Sequence, residues 1–207
     1  HIKLTDFDIL KDLLDSSSDV IPKNIAIEYG KKHYVHLDTD VDNEMERWGR
    51  KYIVEKVKAL LNIVEDRRID NFIFKSAPGY KGYYHALYEK YFNAKIVDKG
   101  LLSDEYRNPD WDSYMFRICN ITNENRDLNA LPGLSDIWKA MDLANIGNIK
   151  STAGCLDIAF KIFHIVEKYI APPQKTSGKD GEEDQDCQGE KSCSSSNGSK
   201  EGKTPEG

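Results

Sequence analysis

No apolar run in this 207-residue chain approaches the roughly eighteen residues needed to cross a bilayer. Even the richest segment, Cys155 to Ala171, is broken by Asp157, Lys161, His164, Glu167 and Lys168, so no transmembrane segment is expected. Lys and Arg never gather into a block and the formal net charge is −6, which argues against nucleic acid as a partner. There is no CxxC pair and no pair of histidines at ligand spacing on a helix, so the four cysteines do not read as a zinc site. The five histidines, His1, His33, His36, His85 and His164, support no nucleophile triad. The last absence divides the chain. From Pro172 to Gly207 every apolar residue but two cysteines disappears, and five lysines stand against eight acids among Gly and Ser. Such a segment has nothing to bury against its chain entropy. We therefore expect one globular domain over residues 1–171 and a disordered, acidic Gly/Ser/Lys-rich tail over 172–207, extended like a stalk and suited to a C-terminal membrane tether.

What the chain does contain points to an oxidising compartment. Cys119 and Cys155 lie in the body, and Cys187 and Cys193 stand six residues apart in the tail. Asn120-Ile121-Thr122 and Asn197-Gly198-Ser199 are glycosylation sequons, and the chain starts at His1, as a product freed of its signal peptide would. These features together predict a secreted or cell-surface glycoprotein. Four cysteines allow three pairings; Cys119–Cys155 and Cys187–Cys193 are the expected ones, because tail cysteines most easily find their near neighbours.

Along the body, apolar patterning predicts an α/β (or α+β) domain. Thr5 is expected to cap a helix through Leu14. Ile25 to Tyr29 and His33 to Leu37 read as strands of a hairpin. A long helix follows from about Asn43 to Arg67, with Ile53, Val57, Leu60, Leu61 and Val64 at helical spacing and Arg67 and Arg68 in its last turn, where the macrodipole favours them. Phe72 to Lys75 reads as a strand, Gly82 to Phe92 as a Tyr-rich helix and Lys95 to Val97 as a strand, a crossover that implies parallel strands in a mixed sheet. A strand near Tyr114 to Cys119 and helices near Leu134 to Ala144 and Thr152 to Ile170 complete the pattern, with Trp48, Trp111 and Trp138 as core anchors.

The sharpest chemical candidate is His36-Leu37-Asp38-Thr39-Asp40-Val41-Asp42, three aspartates at alternate positions after an apolar strand. Oxygen ligands so placed suit Mg²⁺ or Ca²⁺, making Asp38, Asp40 and Asp42 candidate metal ligands. An EF-hand reading fails, since Asn43 replaces the turn glycine and Gly49 stands where the bidentate Glu belongs. Leu37 to Val41 is similar to the DxD motif of metal-dependent glycosyltransferases, but too few residues precede it for their nucleotide-binding half. The segment also resembles the DxD of haloacid dehalogenase-type phosphohydrolases, with Phe72-Ile73-Phe74-Lys75-Ser76 similar to that family's second element. The resemblance spans about forty residues. It implies Asp38 as nucleophile, Asp40 as acid and base, Ser76 as a phosphate ligand and Mg²⁺ as cofactor. A ligand-free alternative is that Asp40 or Asp42 caps the long helix while Glu44 and Glu46 complement its positive end.

A second candidate is the connection from Ser76 to Gly82, where amides opening a helix beside Lys81 can hold an anion through Ser76, Gly79, Lys81 and Gly82. Tyr80, Tyr83 and Tyr84 next to it are the expected partner surface, because tyrosine suits a position with one packed and one wet side. With many aromatics and no complete catalytic constellation, the chain reads as a non-catalytic binding protein that needs no cofactor. Its partner would be a protein or small ligand, and the metal-dependent phosphohydrolase is the alternative.

Overall fold

The computed structural model of the protein describes residues 4–15, 20–34, 41–91 and 94–172. About 70% of them are helical and none of the described residues is in a strand, which overturns the expected mixed α/β sheet. Eight helices are described among these residues: α1 (Asp8–Leu14), α2 (Lys23–His33), α3 (Asp42–Ser76), α4 (Lys81–Tyr91), α5 (Lys95–Leu102), α6 (Trp111–Cys119), α7 (Leu134–Met141) and α8 (Thr152–Glu167). Short 3-10 turns at Pro78–Tyr80 and Ile146–Asn148 punctuate them. No described helix is long and apolar enough to cross a membrane.

Helix α3 is the spine. At 35 residues it runs for roughly 52 Å by the standard rise, and α1, α2 and α8 all pack on it. Helix α2 lies against it backbone to backbone. A Cβ built on Gly49 would sit 1.7 Å from the Ala26 carbonyl oxygen, and one on Gly30 would sit 2.1 Å from that of Met45. Only glycine permits that approach from both sides. Ala26 and Gly30, four residues apart, are the buried positions of α2. The alternation of Ile25, Ile27 and Tyr29 therefore mimics a strand, whereas the contact stripe is made of the two small residues between them.

The other expected strands fail for related reasons. Phe72 to Lys75 is the last stretch of α3. Lys95 to Val97 opens α5, with Ile96 on its exposed side. Tyr114 to Cys119 belongs to α6, whose Trp111, Tyr114 and Ile118 are buried at helical spacing and whose N-cap Asp110 accepts a bond from the Ser113 amide. At α1 the first-turn amide of Asp8 donates to Asp6 rather than to the expected Thr5 cap. Val41, with no side-chain bond, is the N-cap of α3, so Asp42 is a first-turn residue and not a cap. Helix α8 runs close to its expected span and packs on α3 and α7 in place of the sheet. Val57, Leu60, Val64, Ile118, Ile137, Met141, Ala159, Ile162 and Val166 are fully enclosed in the core between them.

Candidate functional site

Arg67 and Arg68, expected in the last turn of the long helix, are buried well before the end of α3, and each organises one of its faces. Arg68 pairs with Glu65 at 2.7 Å and donates to the Leu4 carbonyl at 2.7 Å, holding the N-terminal segment down. Arg67 faces α4. Its Nη1 donates to the Tyr88 hydroxyl, which donates in turn to the Asp70 carboxylate, while its Nη2 donates to the Cys119 carbonyl at 3.0 Å. Burial pushes the Asp70 carboxyl up, against the pull of the Tyr88 bond and the Arg67 charge. Burial followed by the bond to Asp70 raises the Tyr88 hydroxyl.

Besides this triad, Tyr84 anchors α4, packed edge-on against Phe74 with ring centroids 5.2 Å apart. Helix α4 buries none of its own residues. Between it and α3 lies a cavity of about 450 Å³ lined by Arg67, Asp70, Phe74, Lys81, His85 and Tyr88, among others. Tyr80 (60% exposed), in the turn before the helix, and Tyr83 (77%), in its first turn, stand out with their ring centroids 6.3 Å apart; Leu87 (46%) and Tyr91 (57%) are also exposed but lie by helical spacing on the side of Tyr84 and Tyr88, and Leu87 lines a second cavity with them.

The expected anion site is only partly assembled. Lys81 lines the cavity, but the Ser76 hydroxyl donates back to the Phe72 carbonyl at 2.8 Å, and Gly79 and Gly82 stand in open space. Ser76 closes a helix rather than a strand, so the second element of the phosphohydrolase resemblance is absent. Asp38 and Asp40 lie outside the described residues, as do His1, His36, Cys187, Cys193, Asn197 and the tail beyond Pro172. Asp42 is exposed and accepts from Lys31 Nζ at 3.1 Å; no group of acids, histidines or cysteines among the described residues is arranged to hold a metal.

The expected Cys119–Cys155 disulfide is not formed, and both thiols are free. Cys155 bonds with Glu65 and Arg68, and burial, then the Glu65 charge, pushes its thiol up to about 12. Cys119, whose thiol is also raised by burial, lies on the Arg67 side, so the two cysteines flank different faces of α3. Asn120 is buried and its Nδ2 donates to the Phe116 carbonyl at 2.9 Å.

Sequence reasoning missed a second polar centre, where α2, α3, α6 and α8 meet. Glu167 Oε2 accepts from Lys32 Nζ at 2.6 Å and lies 3.0 Å from His33 Nε2, while its Oε1 accepts from the Tyr52 hydroxyl at 2.6 Å. Trp111 Nε1 donates to Tyr52 at 2.6 Å, and the His33 and Tyr52 rings stack 4.0 Å apart. Burial alone would raise the Glu167 carboxyl. The bonds from His33, Lys32 and Tyr52 overcome it and hold the group at about 2. These groups saturate one another and are enclosed, so the centre reads as a clasp and not as a reactive site.

With this geometry in view, comparison with protein-family models, curated proteins and solved structures finds no match to the chain.

Proposed function

We propose that the protein is a non-catalytic binding module, secreted or displayed at a cell surface, whose partner docks on the exposed tyrosines where α4 begins. One observation carries the reading: Tyr80 and Tyr83, at the start of a helix with no buried residue, stand 60% and 77% exposed with their rings 6.3 Å apart. Tyrosine supplies large contact area with little rotamer entropy to lose, and it is enriched at the centres of protein interfaces. The contacts of Tyr84 and Tyr88 with α3 fix the orientation of the exposed pair. The tail cysteines Cys187 and Cys193 and the sequon at Asn197 are what favour the extracytoplasmic setting.

A photo-crosslinking residue placed at Tyr83, and another placed at the exposed Asp157 of α8 as a control, tests this on the surface of cells and in extracellular fluid from the source. A single adduct is expected at position 83 only, competed by the unlabelled protein and not by a Tyr80→Ser/Tyr83→Ser variant. Equal labelling from both positions, or equal competition by the variant, would overturn the proposal.

A further inference from the structure

The cavity of about 450 Å³ between α3 and α4 is closed by two further stretches, Thr122 and Glu124 after α6 and Leu143 and Ile146 after α7. Phe74, Leu143 and Ile146 give it an apolar side. Its charged groups fall into two sets, and the first is already spent: Arg67 and Asp70 are tied to each other and to Tyr88, and Glu89 is engaged as well. Lys81, His85 and Glu124 make up the second. None of these three has a hydrogen bond or ion pair among the described residues, although all line the same cavity. Lys81 and His85, four residues apart, share one side of α4, whereas Glu124 stands on the stretch after α6. The uncommitted charges are therefore of both signs, on different walls, beside one apolar surface.

We propose that this cavity binds an apolar α-amino acid as its zwitterion. Lys81, with His85 beside it, takes the carboxylate; Glu124 takes the ammonium; and the side chain lies along Phe74, Leu143 and Ile146. A ligand carrying a single charge would answer only one of the two walls, and an uncharged one would answer neither. The volume falls within the range of small-molecule sites, and an apolar surface with a few polar groups to fix orientation is their usual make-up. The site does not rest on the tyrosine pair at the start of α4, and either can fail without the other.

The test is a titration of the full ¹⁵N-labelled chain at about pH 6.5, where an α-amino group is charged, with L-phenylalanine and L-leucine. N-acetyl-L-phenylalanine, which lacks the ammonium, and L-phenylalaninamide, which lacks the carboxylate, run in parallel. Saturating shifts on the amides of Lys81, His85 and Glu124 are expected with at least one of the two amino acids, and each blocked derivative should bind at least about tenfold more weakly than L-phenylalanine. Lys81 and Glu124 are both exposed, so their replacement leaves the fold intact. Lys81→Gln should weaken the amino acid at least about fivefold and leave L-phenylalaninamide unaffected, while Glu124→Gln should do the same and leave the N-acetyl derivative unaffected. Linear shifts with both amino acids, blocked derivatives that bind as tightly as L-phenylalanine, or either variant binding the amino acid as well as the parent would overturn the proposal. So would a variant that weakens its matched derivative as much as the amino acid.

Discussion

Tyr52 and Tyr83 are the same residue put to opposite uses at two ends of one structure. Tyr52 is stacked on His33, donates to Glu167 and accepts from Trp111, so its ring and its hydroxyl are both spent inside the protein. Tyr83 lies 77% exposed on a helix that buries nothing. The first end joins α2, α3, α6 and α8 through a largely enclosed, mutually satisfied cluster; at the second, α4 meets α3 through contacts that include the Tyr88 triad and the Tyr84 ring and leave no α4 residue buried. Aromatic content by itself therefore does not separate core from interface. The separation comes from where each hydroxyl finds its partner.

The comparison can be broken most forcefully at Glu167. Glu167→Ala leaves Lys32, His33 and Tyr52 without their shared acceptor, and removing one partner of a buried ion pair typically costs about 3–5 kcal/mol. Urea unfolding measures it; a loss near zero would show that the clasp is dispensable. Next is Gly49→Ala, whose methyl would meet the Ala26 carbonyl and force α2 off α3, at a cost of about 1–3 kcal/mol in the same assay. At the other end Tyr88→Phe removes the hydroxyl between Arg67 and Asp70 and should cost about 1–2 kcal/mol, read chiefly as faster hydrogen exchange in α4. Tyr80→Ser/Tyr83→Ser is the smallest in stability, within about 0.5 kcal/mol of the parent, although it should abolish crosslinking.

Acid distinguishes the ends by sign. The Glu167 carboxyl is depressed from 4.5 to about 2 on folding, so its contribution is complete above pH 4.5 and is lost as pH falls toward 2. Asp70 is raised above 3.8, so the folded state takes up its proton first; its contribution is present at low pH and lost as pH rises through the folded value. Stability of the parent should fall on acidification below pH 4.5, and Glu167→Gln should flatten that slope while an Asp70→Asn variant retains it. A slope unchanged in Glu167→Gln would remove Glu167 as its source.

Helical spacing along α3, α7 and α8 was legible because leucine, valine and isoleucine recur there without competition from alternation, and along α4 because tyrosines do. Helix α2 was not, since the residues that touch α3 are Ala26 and Gly30, which apolar patterning discounts. Phe72 to Lys75 reads as a strand only if α3 ends at Arg67 and Arg68, and the two arginines suggested that end. Their burial depends on Tyr88, the Cys119 carbonyl and the Leu4 carbonyl, partners that no local pattern reveals. At the site, Tyr80 and Tyr83 stood out from residue type alone, and the structure leaves both exposed. The Glu167 clasp joins residues 115 and 134 positions apart and had no local signature.

Hydrogen exchange on the unbound full chain tests the contrast most directly, because a helix with no buried residue opens locally while one locked into the core opens only with the whole fold. Amides of α4 should exchange at least about a hundredfold faster than those in the middle of α8, and Tyr88→Phe should widen the gap from the α4 side alone. Equal protection in α4 and α8 would contradict the account, since it would mean that α4 is part of the core and that its outer tyrosines are not held out for a partner.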